Sequence, residues 1–180
     1  MNLNLNRPVF LCGMMGTGKS VIGKSIAKKL HHPFTDLDSL IEAETGKSIP
    51  QLFKEFGEPE FRKIEKKTLI KYLDQLNSKS VLALGGGTLQ NQQLVDLIKN
   101  SGILIYIDTP QEILLHRLKK SKRRPMISGL NTAELKSLIH KLLEERIPYY
   151  NQAHLIISGT ANKPEITTEL IIKELKLYND

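Results

Sequence analysis

Gly13-Met14-Met15-Gly16-Thr17-Gly18-Lys19-Ser20 fits the pattern G-x-x-x-x-G-K-[ST]. Glycines at these spacings let backbone N–H groups converge on phosphate oxygens at a helix N-terminus, where the helix dipole also favours an anion. In that chemistry Lys19 reaches the β- and γ-phosphates of a nucleotide and the Ser20 hydroxyl ligates Mg²⁺. Gly16, Thr17, Gly18, Lys19, Ser20 and Val21 are the expected nucleotide-binding residues.

A second set of residues could hold whatever receives the phosphoryl group. Asp36-Leu37-Asp38 places two carboxylates at i and i+2, which face one side while the chain is extended. Beside a phosphate loop, at the carboxyl edge of an open α/β sheet, one acid can hold Mg²⁺ through water while the other contacts a substrate hydroxyl. No Asp precedes the glycines after the third apolar run, so Asp36 is the candidate for the metal-associated acid. Those glycines, Gly85-Gly86-Gly87, allow a ligand to approach the backbone closely. Arginine is scarce, six of the 26 basic residues. Each therefore invites a reason that lysine would not satisfy: a planar fork that matches a carboxylate or phosphate. The candidates are Arg62, beside the apolar stripe Phe61, Ile64 and Leu69; Arg124, in a basic stretch; and Arg146, just before a Pro148 expected to end its helix.

Strands and helices must bring these residues together. Pro8 to Cys12, Pro33 to Thr35, Val81 to Leu84, Ile103 to Ile107 and Leu155 to Ser158 are short apolar runs with almost no alternating polar positions, as buried parallel strands are. Between them lie helical patterns with start signals. Ser39-x-x-Glu42 is a capping box, and Thr109-Pro110-Gln111-Glu112 combines an N-cap with proline at the first helical position. Val21, Ile22, Ile26, Ala27 and Leu30 form the stripe of the helix after the phosphate loop, and a further helix follows Lys163-Pro164. Alternation of this kind predicts an open α/β sheet covered on both faces. Two connections exceed what a crossover needs: Ser39 to Leu76, with two or three helices, and the basic Ser121 to Leu130.

Composition narrows the function classes. The 180 residues suit one domain, with 40% hydrophobic and 25% charged residues as in ordinary globular proteins. No apolar stretch approaches the ~18–20 residues of a bilayer span, and Met1 to Arg7 lacks the pattern of a signal peptide, so the expectation is a cytoplasmic protein without a membrane partner. The single cysteine, Cys12, is read as a buried core residue rather than a reactive thiol. The net charge of +7 is concentrated: Arg117 to Arg124 holds six basic residues and no acid, and without it the balance is +1. One such patch on a chain with no Trp and 6% aromatics predicts a solvated face, not a nucleic-acid groove.

Together the motifs resemble the shikimate kinases, relatives of the nucleoside monophosphate kinases. The resemblance runs from about Pro8 to Tyr178 and rests on the GKS loop, Asp36-x-Asp38, Phe61-Arg62-x-x-Glu65, Gly85-Gly86-Gly87, Arg124-Pro125 and Arg146-x-Pro148-x-Tyr150, in order. It implies a three-layer P-loop kinase fold of one domain: a five-stranded parallel sheet flanked by helices, a substrate-binding insert over about residues 38–66 and a lid over about 119–131. It further implies ATP-dependent phosphorylation of shikimate at its 3-hydroxyl, with Mg²⁺, in a monomer. Asp38, Arg62, Gly85, Gly86, Gly87 and Arg146 would hold shikimate. Arg124 would contact ATP from the lid, Ser20 and Asp36 would serve the metal, and Lys19, Asp38 and Arg124 would act in the transfer. Lys163 stands where some members carry an arginine near the adenine. A gluconate or nucleotide kinase of the same fold is the nearest rival. A GTP-driven switch is the other, since Asn162-Lys163-Pro164-Glu165 only partly matches a guanine-reading N-K-x-D and the chain contains no D-x-x-G.

Overall fold

The computed structural model of the chain describes residues 5–76, 78–120, 125–159 and 163–179. Its five strands are β1 (Val9–Cys12), β2 (Phe34–Asp36), β3 (Val81–Ala83), β4 (Ile103–Asp108) and β5 (Leu155–Ser158). They pair in parallel in the order β2-β3-β1-β4-β5. The expected runs are therefore the strands, with ends moved by a residue or so.

Successive strand residues point to opposite faces, so β1 feeds two cores. Phe10 and Cys12 pack on one side with Leu82, Leu104 and Tyr106. Val9 and Leu11 pack on the other with Ile105, Ile107 and Ile26. Phe10 is fully buried, a side chain of the kind whose burial stabilises by ~1.5–3 kcal/mol. Cys12 is also fully buried, and burial pushes its thiol pKa up to about 12, in keeping with an inert core residue.

The helices are α1 (Lys19–Leu30), α2 (Leu37–Thr45), α3 (Ile49–Asp74), α4 (Gln92–Ser101), α5 (Gln111–Lys119), α6 (Thr132–Tyr150) and α7 (Pro164–Asn179), with a 3₁₀ turn at Pro125–Ile127. The long first insert is α2 and α3, and α3 breaks at Gly57, whose φ of 73° and ψ of 173° interrupt the helix before Pro59. That break accounts for an expectation of two or three helices.

Four local expectations change. Ser39 does not cap α2: Asp36 does, its carboxylate accepting from Asp38 N at 3.0 Å and Ser39 N at 3.4 Å. Helix therefore starts directly off the strand, and Asp38 lies in its first turn rather than on extended chain. Glu42, the other half of the expected box, instead accepts from Ile49 N and joins α2 to α3. At α5 the N-cap is Pro110 and the Thr109 side chain makes no capping bond; its buried hydroxyl has no partner among the described residues. Pro148 does not end α6, which continues to Tyr150. A proline removes one intrahelical N–H bond, here within a turn of the helix end. Val21, finally, leaves the stripe of α1 and is 55% exposed.

In a parallel sheet every strand ends at the same edge. Here β1 ends in the phosphate loop, β2 in Asp36 and β3 in the triple glycine. From β1 the chain first forms β2 at one edge, returns to place β3 between β2 and β1, and then crosses to the other side for β4 and β5. The edge beside β1 is thus the switch point where open α/β sheets bind ligands.

Candidate active site

Gly18 is the N-cap of α1, with a left-handed φ of 96° and no side-chain cap. Its N-terminal N–H groups are therefore open to an anion. Thr17 turns inward, its hydroxyl donating to Met14 O at 2.8 Å, so its contribution to a phosphate is its backbone. The Lys19 ammonium is largely buried and donates to Gly13 O at 2.7 Å and Met14 O at 3.1 Å, which folds it over its own loop. Arg117 on α5 donates to Gly16 O and Thr17 O at 3.0 Å each, holding the loop from the far side.

The Ser20 hydroxyl donates to Asp36 at 2.5 Å. Two hard oxygen ligands from β2 and α1 thus stand together at the foot of the phosphate loop, which suits Mg²⁺. Among the described residues no cluster of three His, Cys, Asp or Glu could hold a metal by itself. The donor set fits the kinase pattern, in which one or two protein oxygens are completed by phosphates and water.

Next to this pair opens a cavity of about 770 Å³, a size usual for ligand sites. It is lined by Ser20, Asp36 and Asp38, by Arg62 and Glu65, by Gly85, Gly86 and Gly87 and by Arg146, with Phe53, Phe61 and Ile49 as apolar surface; a Cβ on Gly85 would stand 2.5 Å from a Glu65 oxygen and 3.3 Å from Asp38 Oδ1. The structure therefore brings together both acids, the triple glycine, Arg62 and Arg146. Met126, from the 3₁₀ turn, also reaches this cavity.

Arg62 is held on all sides. Its Nε and Nη2 donate to one Glu58 oxygen at 3.2 and 2.8 Å, and its Nη1 donates to Glu65 at 2.8 Å. One face lies on Gly87, where a Cβ would collide with the guanidinium, and the Phe61 ring centroid is 5.2 Å away. Burial alone would lower the guanidinium pKa, but Glu65 and Glu58 outweigh it and hold it above its ordinary value. Glu65, itself buried, also accepts from Thr88 Oγ1 at 2.6 Å. Arg146, buried on α6, donates to Gly86 O at 2.9 Å and lies 3.4 Å from the Met14 sulfur. Two cations and two acids therefore line one cavity.

Other expected residues stand apart. Lys163 is exposed just before α7 and outside the cavity wall. Arg124 and Asn162 lie outside the described residues. Sequence reasoning gave no role to Glu58, Glu65, Thr88, Arg117 or Tyr150. For Arg117 a signal existed, the scarcity of arginine, but it was masked by the basic run around it. Thr88 and Tyr150 act through pairings 23 and 64 residues away in the chain, which no local pattern reveals.

Residues 15–176 match the shikimate kinase family model. The shikimate kinase of Chlorobium chlorochromatii is 37% identical over 175 residues, covering 94% of this chain and 91% of that protein. That of Chlorobaculum parvum is 38% identical over 175 residues, covering 94% and 92%. Among solved structures, the shikimate kinase from Acinetobacter baumannii in complex with shikimate superposes with a TM-score of 0.89 at 31% identity, covering 98% of this chain and 96% of that one. A gluconokinase from Sinorhizobium meliloti superposes with a TM-score of 0.66 at 16% identity over 97% of this chain and 94% of that one, a likeness of fold alone. The phosphate loop, the acids and arginines gathered in one cavity and these matches over nearly the full length lead to one assignment: the chain belongs to the shikimate kinase family.

Proposed function

We propose that this chain transfers the γ-phosphoryl group of ATP to the 3-hydroxyl of shikimate, and that the cavity between the phosphate loop and the two arginines is where the acceptor sits. The observation that carries the reading is that Arg62 and Arg146 line the same cavity as Ser20, Asp36 and Asp38. Shikimate has a carboxylate at one end of its ring and hydroxyls at the other, so two arginines and an aspartate complement it.

In the transfer, the acceptor oxygen forms a bond to the γ-phosphorus as the bond to the bridging oxygen of ADP breaks, and the hydroxyl proton leaves. Asp38 accepts the hydrogen bond from that hydroxyl and orients it or takes its proton. Lys19 leaves the carbonyls of its own loop for the β- and γ-phosphate oxygens and offsets the charge that moves onto them. Val21, in the first turn of α1, adds its backbone to the nucleotide site. Gly85, Gly86 and Gly87 supply close backbone approach to the acceptor. Ser20 and Asp36 would hold Mg²⁺, which neutralises phosphate charge when bound. Arg124 from the lid and Lys163 beside α7 complete the nucleotide side. The chain acts as one domain, with an insert over about residues 38–66 and a lid over about 119–131, as a cytoplasmic monomer without a nucleic-acid or membrane partner. Among the described residues no helix is long and apolar enough to cross a membrane.

Coupled ADP release from purified protein, Mg²⁺ and ATP tests the reading against a panel of shikimate, gluconate and nucleoside monophosphates. Turnover with shikimate alone is expected. ADP release above background only with another acceptor, or with none, would overturn it.

A further inference from the structure

The Gly86 carbonyl is a convergence point. It accepts from Arg146 Nη1 at 2.9 Å and from the Tyr150 hydroxyl at 2.5 Å, both from the last turns of α6 and 60 and 64 residues away in sequence. A peptide unit is planar and trans, so its C=O and the following N–H point in opposite directions. Fixing the Gly86 carbonyl therefore also fixes the Gly87 N–H, on a residue of the cavity wall. Among the described residues no protein group accepts from that N–H. An N–H held in place on a residue of a cavity wall, beside two arginines, suits an anion.

Tyr150 is placed to hold this carbonyl, beside Arg146, with which its hydroxyl also interacts. It is 1% exposed, its ring packs 5.0 Å from that of Tyr106, and burial pushes its phenol pKa up, so the hydroxyl stays protonated and donates. The neighbouring Tyr106 hydroxyl donates elsewhere, to Asp108 at 3.0 Å, and so offers a matched control in the same stack. On its other side the glycine turn meets the phosphate loop: a Cβ on Gly86 would stand 2.9 Å from Met15 N. The turn is thus seated between the loop and α6.

We propose that Tyr150 is a positioning residue for the acceptor: its hydroxyl holds the Gly86–Gly87 peptide so that the Gly87 N–H joins Arg62 and Arg146 in receiving the substrate carboxylate. This rests on the reading of that wall as the carboxylate end, and the test separates the two.

Steady-state kinetics would compare shikimate with its uncharged methyl ester in wild type, Tyr150→Phe and Tyr106→Phe. Wild type is expected to prefer the acid by tenfold or more in kcat/KM. Tyr150→Phe should raise KM for shikimate about 3–10-fold, as for one lost hydrogen bond in a buried site, with kcat and KM for ATP within twofold. It should also shrink the acid-over-ester preference by the same factor, which a general loss of stability would not do. Tyr106→Phe should leave that preference intact. 4-Aminophenylalanine at position 150, which returns a donor, should restore it. It also serves as the test should Tyr150→Phe fail to fold: recovered folding without recovered preference would refute the proposal. Equal use of acid and ester by wild type would overturn the carboxylate reading itself. A wild type that discriminates beside a Tyr150→Phe that discriminates equally well, or a Tyr106→Phe that fails in the same way, would overturn the role of Tyr150 alone.

Discussion

The two ends of the site are built on different principles. At the acceptor end, the charged groups are tied to fixed partners: Arg62 to Glu58 and Glu65 of its own helix, Glu65 to Thr88 and Arg146 to Gly86 of the glycine turn. At the phosphate end, Lys19 is bonded to carbonyls of its own loop, and Ser20 to Asp36. The first arrangement holds a fixed geometry whether or not a ligand is bound, which is what an anion of constant charge requires. The second consists of bonds that must be exchanged for phosphate and metal, which suits a group whose charge moves during the reaction. Substitutions at the acceptor end should therefore act on acceptor affinity, and those at the loop on turnover.

The sharpest contrast is at Lys19. Lys19→Ala removes the one cation in the loop that can follow the phosphates, and kcat should fall about 10³-fold or more. Single-turnover measurements would read it. A variant with a tenth of wild-type kcat would break the division between the two ends.

Asp38 stands between them, in the first turn of α2 on the cavity wall. Asp38→Asn keeps the shape and removes the charge, so kcat should drop about 10²-fold or more while ATP affinity, read by calorimetry, is kept. Weakened ATP binding would move Asp38 to the nucleotide side.

The next largest effect should come from Arg62. Lysine in its place keeps the charge but cannot donate to Glu58, Glu65 and a carboxylate from one plane. Arg62→Lys should raise KM for shikimate by roughly 10–150-fold, the equivalent of ~1.5–3 kcal/mol for hydrogen bonds to a charged group, with KM for ATP unchanged. A defect confined to ATP would show that the acceptor end had been misassigned.

How much of this was legible in the sequence follows from the range of the interactions. The phosphate loop, the five strands and the acid, arginine and glycine motifs were readable because each is a local pattern: a spacing, an apolar run, a residue type at a strand end. The caps were read less well because two residues competed for one job. Both Asp36 and Ser39 can cap a helix, and what decides is that α2 begins immediately at the end of β2, which puts Asp36 at the N-cap and Ser39 inside. Pro148 misled because α6 runs on past it to Tyr150, despite the intrahelical N–H bond that a proline removes. Of the network that makes the acceptor end rigid, Glu65 and Tyr150 stood in the motifs but their partners did not: Tyr150 and Arg146 meet Gly86 only in the folded chain. Sequence pattern thus identified the groups that meet ligand and named some of those that hold them without showing what they hold.

Arg117 gives the smallest effect and the most direct test of the comparison, because it ties the phosphate end to a distant helix. Its Nη1 reaches Gly16 O and Thr17 O, a hundred residues back in the chain, and so braces loop carbonyls from α5. If the loop must adapt its bonds to phosphate, the brace sets the starting shape and takes no part in the transfer. Arg117→Ala should then raise KM for ATP about 3–10-fold, in line with the loss of one or two hydrogen bonds to backbone. KM for shikimate and kcat at saturating ATP should change by less than twofold. Kinetics with both substrates varied would read all three. A large fall in kcat would place Arg117 among the groups that follow the moving charge, and a rise in KM for shikimate would mean that the two ends are mechanically coupled through the loop.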